Sequence, residues 1–178
     1  GYVTLKFFTK SKLISAKATE FSDIIISNDI TSELTKEYIK ERAFFLSKAA
    51  PNNSTMLIDG SMFSGAATSG NFVLIDYLES KNCRPIFFVK NSESTIISER
   101  FEFAKGYNSD LHWAYSNLKT GEVSPVFAYR SPDGRSKAMC FMKVFENRSP
   151  VRIEFPLVAF EEGSYDTDIF DQIYYQFL

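Results

Sequence analysis

Runs rich in apolar, aromatic and β-branched residues predict strands at residues 2–8, 22–27, 55–59 and 84–89, the second of them buried. Residues 10–20 are polar with small side chains and read as a loop or a ragged strand. Between the second and third runs, residues 31–49 repeat apolar side chains with the helical period. Leu34, Tyr38 and Phe45 form the stripe predicted to be buried, and Asn28, Asp29, Thr31 and Ser32 offer oxygens to cap the first turn. Residues 71–81 make a second helix, apolar nearly all round and therefore expected inside. Strand, helix, strand at this spacing is the pattern of parallel βαβ units. A third helix is expected from Ser94 to Lys105, with Ile96, Ile97, Phe101 and Ala104 on one side and Gly106 to end it.

After Gly106 the texture becomes β-rich. Four strands are predicted, at residues 110–117, 124–130, 136–145 and 151–160, joined by short turns. The strongest turn is Ser131-Pro132-Asp133-Gly134, where Pro presets φ and Gly accepts a positive φ. Arg152-Ile153-Glu154-Phe155 alternates cleanly and reads as a strand with one face in water. Pro156 places it at a sheet edge or a bulge. Residues 166–178 carry Ile169, Phe170, Ile173, Tyr174 and Phe177 on a helical stripe that should dock on the core. The expected class is α+β: a βαβαβα N-terminal half, an antiparallel meander and a C-terminal helix. Residues 1–178 form a single domain, with a soft boundary at 93–108.

Composition narrows the function classes. The chain has 178 residues, 44% hydrophobic and 16% aromatic, which is ample for a core. A net charge of −2 argues against a dedicated nucleic-acid binder. No uncharged apolar run approaches the ~18 residues of a membrane span. Gly1 in place of Met leans the expectation toward a secreted or periplasmic protein. Cys83 and Cys140 are expected as free thiols, Cys83 the more accessible.

The loop from Gly60 to Gly70 follows a strand and opens a helix, where backbone N–H groups can meet an anion. It lacks a phosphate-loop pattern, and the competing reading is a tight crossover turn. Ser61 and Ser64 within it are candidate nucleophiles. His112 is the one histidine, so a Ser-His-Asp or Cys–His arrangement must use it, and Cys140 is a candidate partner. One histidine and no acidic cluster at ligand spacing leave no metal site and no cofactor to expect. Arg130, Arg135, Lys137, Lys143 and Arg152 gather on the meander beside Tyr129, as a face for an acidic protein partner. The expected function is a non-enzymatic protein-interaction domain, a secreted or envelope accessory factor that binds another protein and no nucleic acid. The alternative is a small hydrolase or transferase using Ser61 or Ser64, or a Cys140–His112 pair.

Overall fold

The computed structural model describes residues 8–9, 12–13, 30–63, 65 and 68–177. The expected strand at 22–27, the expected strand at 2–8 apart from Phe8, and Ser64 lie outside the described residues. Phe8–Thr9 (β1) and Lys12–Leu13 (β2) pair antiparallel. Helix α1 (Ile30–Ala49) leads to β3 (Thr55–Asp59), α2 (Thr68–Ser80) and β4 (Arg84–Val89). β3 and β4 pair in parallel from Thr55↔Arg84 to Asp59↔Phe88, as the βαβ pattern predicts.

Helix α1 turns a different face inward from the predicted one. Tyr38 and Phe45 are 56% and 55% exposed, while Ala43, Leu46 and Ala50 pack against the core; the Leu34 side chain lies outside the described residues. Gly70 of α2 sets how closely the two helices approach, because a Cβ there would overlap the Ile39 side chain.

Residues 110–117 are helix α4 (Asp110–Asn117) rather than a strand. Their aromatic content favours β structure, but the caps decide otherwise. The Ser109 hydroxyl accepts the His112 N–H at 3.1 Å. The buried Asp110 carboxylate accepts the N–H groups of Ile97 at 2.8 Å and Ser98 at 3.0 Å, and the Ser94 hydroxyl at 2.9 Å. It thereby ties α4 to the start of α3 (Ile96–Arg100), which is followed by a single 3-10 turn, Glu102–Ala104.

The meander has three strands, β5 (Phe127–Arg130), β6 (Ser136–Met142) and β7 (Val151–Pro156). The Ser131–Gly134 turn joins β5 and β6 as predicted, with Gly134 at φ +85° and its N–H donating to the Ser131 carbonyl at 3.0 Å. The sheet order is β3-β4-β7-β6-β5, parallel only between β3 and β4. β7 is therefore central, not an edge. Pro156 is tolerated because it ends the strand and precedes α5 (Leu157–Glu161). Helix α6 (Asp168–Phe177) docks through Ile169 and Ile173. A five-stranded mixed sheet with helices on both sides makes this an α+β single domain.

The two sides of the sheet are filled differently. Under α5 and α6, Ile86, Ala138, Cys140, Ile153 and Phe155 form one apolar layer. The other side holds two separate clusters. Ile58, Met62, Leu74, Leu78 and Phe87 lie beneath α1 and α2. Ile97, Trp113, Phe127, Met139 and Phe141 lie beneath α3 and α4. The register Phe87↔Glu154↔Met139 puts Glu154 of β7 on the line between them.

Cys83 and Cys140 are both free. Cys83 is no more accessible than Cys140: both are buried, at 1% and 0% exposure. The Ser54 hydroxyl donates to the Cys83 sulfur at 3.2 Å.

Candidate functional site

The site is built on the turn that ends β3. Gly60 continues the pairing with β4 by donating its N–H to the Phe88 carbonyl at 2.9 Å, then takes φ +112°, a conformation that favours glycine. The chain next dips toward the sheet. The Ser61 hydroxyl donates to Glu154 Oε2 at 3.0 Å, and the Met62 N–H donates to the same oxygen at 2.7 Å. Asn71 of α2 donates to the Ser61 and Met62 carbonyls at 3.0 and 3.1 Å. Arg42 of α1 donates to the Asp59 carbonyl at 2.7 Å and to the Asn71 side-chain oxygen at 3.3 Å. Side chains from α1, α2 and β7 thus hold the backbone at Asp59, Ser61 and Met62, and the β4 backbone holds Gly60 between them. The Asp59 carboxylate is left 67% exposed, 3.2 Å from the Lys90 ammonium, itself 58% exposed.

Glu154 anchors this turn from beneath. It is fully buried, ion-paired with Lys137 of β6, and 2.9 Å from Arg152 Nε. That Arg152 nitrogen approaches without an aligned hydrogen bond, while Nη1 donates to the Ser92 hydroxyl at 2.7 Å. Burial pushes the Glu154 carboxyl up, but Lys137, Arg152 and the Met62 N–H together hold it below the ordinary carboxylate value. Burial also lowers the Lys137 ammonium, against the pull of Glu154. The seam predicted to be wet is dry, because the charges are satisfied by one another and by the turn above them.

Aromatic rings with cations over them wall the seam. Phe63 has Lys137 5.0 Å and Arg135 5.6 Å from its ring centre, and its ring lies 6.0 Å from that of Tyr129. Arg100 stands 5.2 Å over Tyr129.

Two predicted groups therefore meet here: Ser61 of the glycine-rich loop, and Lys137, Arg152, Tyr129 and Arg135 of the basic face. The other predicted residues lie elsewhere. Arg130 pairs with Glu161 of α5 at 2.9 Å. Lys143 donates to the Tyr115 carbonyl at 3.0 Å and supports α4. His112 is exposed on α4, where its Nδ1 accepts the Asn108 N–H at 3.4 Å. Cys140 faces the layer under α5 and α6, and burial pushes its thiol up. The sheet separates it from His112. Asp59, Lys90, Arg42, Asn71 and Glu154 escaped the sequence reading. The available signal was an aspartate directly before Gly-Ser at the end of a parallel strand, where open α/β sheets place their sites.

Among the described residues, no three His, Cys, Asp or Glu side chains converge as a metal ion would need. None of the described helices is long and apolar enough to cross a membrane. A cavity of about 500 Å³, lined by Glu79, Arg84, Glu162 and Tyr165, opens at the opposite end of β4 and takes no part in this site.

An exposed carboxylate paired with Lys90 at the end of a parallel strand, on a turn anchored by a seam that cations and aromatic rings wall on the other face of the sheet, is a candidate site for an anionic substrate. Residues 9–172 match the model of the NurA domain, and the chain belongs to that family. No curated protein and no solved structure matches it. NurA is a nuclease family acting on DNA, which overturns the expected non-enzymatic, secreted interaction domain and the exclusion of nucleic acid. The net charge of −2 averages over the whole chain and does not exclude nucleic acid.

Proposed function

We propose that this chain is a nuclease domain that hydrolyses phosphodiester bonds of DNA at Asp59. The observation that carries the reading is the exposed Asp59 carboxylate, positioned by a fully bonded turn and flanked by Lys90, in a NurA domain. In this reading Asp59 is the catalytic residue that orients the attacking water by accepting its hydrogen bond. Lys90 offsets the negative charge that grows on the phosphoryl oxygens. Glu154, Asn71 and Arg42 are positioning residues. Ser61 is an anchor of the turn: its hydroxyl donates to a carboxylate whose charge two buried cations already share.

The test is cleavage of end-labelled single-stranded and duplex DNA, with Mg²⁺ or Mn²⁺ supplied. Asp59→Asn should slow cleavage by about 10²-fold or more while the circular dichroism spectrum stays unchanged. Intact DNA under every condition with the unaltered chain, or undiminished cleavage by the variant, would overturn the proposal.

A further inference from the structure

Two large rings stand exposed on the same side of the sheet as the seam. Phe101 and Phe103 are 39% and 56% exposed, with ring centres 5.3 Å apart. They are not loose. Phe101 lies 5.5 Å from Phe127, and Phe103 lies 5.5 Å from Trp113. Both supporting rings are buried, and Trp113 in turn meets Phe141 edge-on at 5.9 Å. The exposed pair is therefore the outer layer of a stack rooted in the core under α4.

The row continues toward the turn that follows β3. Tyr129 follows Phe127 by two residues on β5, which keeps it on the same face about 7 Å further along. Phe63 lies 6.0 Å beyond, two residues from Ser61. Guanidinium groups accompany the row: Arg100, adjacent to Phe101, stands over Tyr129, and Arg135 stands over Phe63. Nearby carboxylates are already engaged, Glu102 with Lys105 and Asp133 with Arg135. Two exposed rings, Phe101 and Phe103, continued by half-buried rings that alternate with cations, complement a polyanion whose ring faces are open, and a duplex hides those faces.

We infer that Phe101 and Phe103, continued by Tyr129 and Phe63, form a platform on which the bases of an unpaired DNA strand stack. This platform leads the strand to the turn that follows Asp59. The inference rests on the nuclease reading above and places its substrate.

The test compares a fluorescein-labelled single strand with an abasic strand of equal length, by anisotropy in chelator so that neither is cut. The base-bearing strand should bind about 10-fold more tightly. Replacing both phenylalanines (Phe101→Ala with Phe103→Ala) should remove that preference and leave affinity for the abasic strand unchanged, which also reports a folded protein. Phe103→Leu, which keeps apolar bulk without a ring, should weaken the preference as well. Arg100→Gln should weaken both strands by a similar factor. Equal binding of the two strands by the unaltered chain, or a preference that survives the double substitution, would overturn the platform even if DNA is cut. So would a dimer that the substitution dissociates, since the rings would then belong to a second copy. Base-dependent binding without cleavage would uphold the platform and sink the nuclease reading instead.

Discussion

Consecutive residues of β7 enter two unlike environments. Ile153 and Phe155 join the apolar layer under α5 and α6, where Phe155 meets Tyr165 at 4.8 Å between ring centres. Arg152 and Glu154 enter the charged seam on the other side, between two apolar clusters. Both environments exclude water, so dryness does not distinguish them. The apolar layer stabilises through burial. The seam gains little net stability, because removing three charges from water offsets most of their attraction. What the seam supplies is position: Glu154 holds the Ser61–Met62 backbone, and hence Asp59, in place.

The largest expected effects set neighbouring positions against each other. Phe155→Ala should cost about 3–5 kcal/mol in urea unfolding through the cavity it leaves. Glu154→Ala should cost a similar ~3–5 kcal/mol for a different reason, the uncompensated charges of Lys137 and Arg152. A combined replacement (Lys137→Met, Arg152→Leu and Glu154→Leu) separates the two causes. It should recover most of that stability, yet DNA cleavage should stay impaired because the Met62 N–H and Ser61 hydroxyl have lost their acceptor. Recovery of cleavage with stability would show that the seam is only packing.

Acid sharpens the contrast. The folded-state carboxyl of Glu154 is held below its ordinary value of 4.5. Its stabilising contribution is therefore complete above that pH and drains away as the pH falls through the lower folded value. Unfolding free energy measured downward from pH 5 should drop more steeply in the unaltered chain than in Glu154→Gln. Phe155→Ala should follow the unaltered slope, offset by a constant.

The smallest effect belongs to Ser61. Ser61→Ala removes one hydroxyl donor to Glu154 and should cost about 1 kcal/mol in stability. Cleavage should fall but persist. Complete loss of cleavage in a protein of near-native stability would make Ser61 a participant in the chemistry and reduce the seam to its support.

Much of the architecture was legible because it rests on local signals. The parallel β3–β4 pair, the Ser131–Gly134 hairpin and the Ile169–Ile173 stripe follow from period and turn chemistry. Helix α4 did not, because its aromatic residues favour strands while Ser109 and Asp110 impose a cap. The site was half legible. Ser61 and the basic face were visible separately, but only the sheet order brings them together. Glu154 was misread for a physical reason: alternation of charged and apolar residues marks a water-facing strand unless the charges neutralise one another, and their partners, Lys137 and the turn after β3, are distant in sequence.

The buried seam also constrains how the strands find one another during folding. β4 and β7 come from remote parts of the chain and carry mostly apolar side chains, a combination that tolerates alternative registers. A slip of one residue in β7 would turn Arg152 and Glu154 toward Ile86, Cys140 and Ile169, where no counter-charge waits. Such a one-residue slip would strand two charges in an apolar layer, at a cost of several kcal/mol per ion. The Lys137–Glu154–Arg152 group therefore acts as a proofreading mark for the central strand, rejecting pairings in which Asp59 and its neighbours could never assemble.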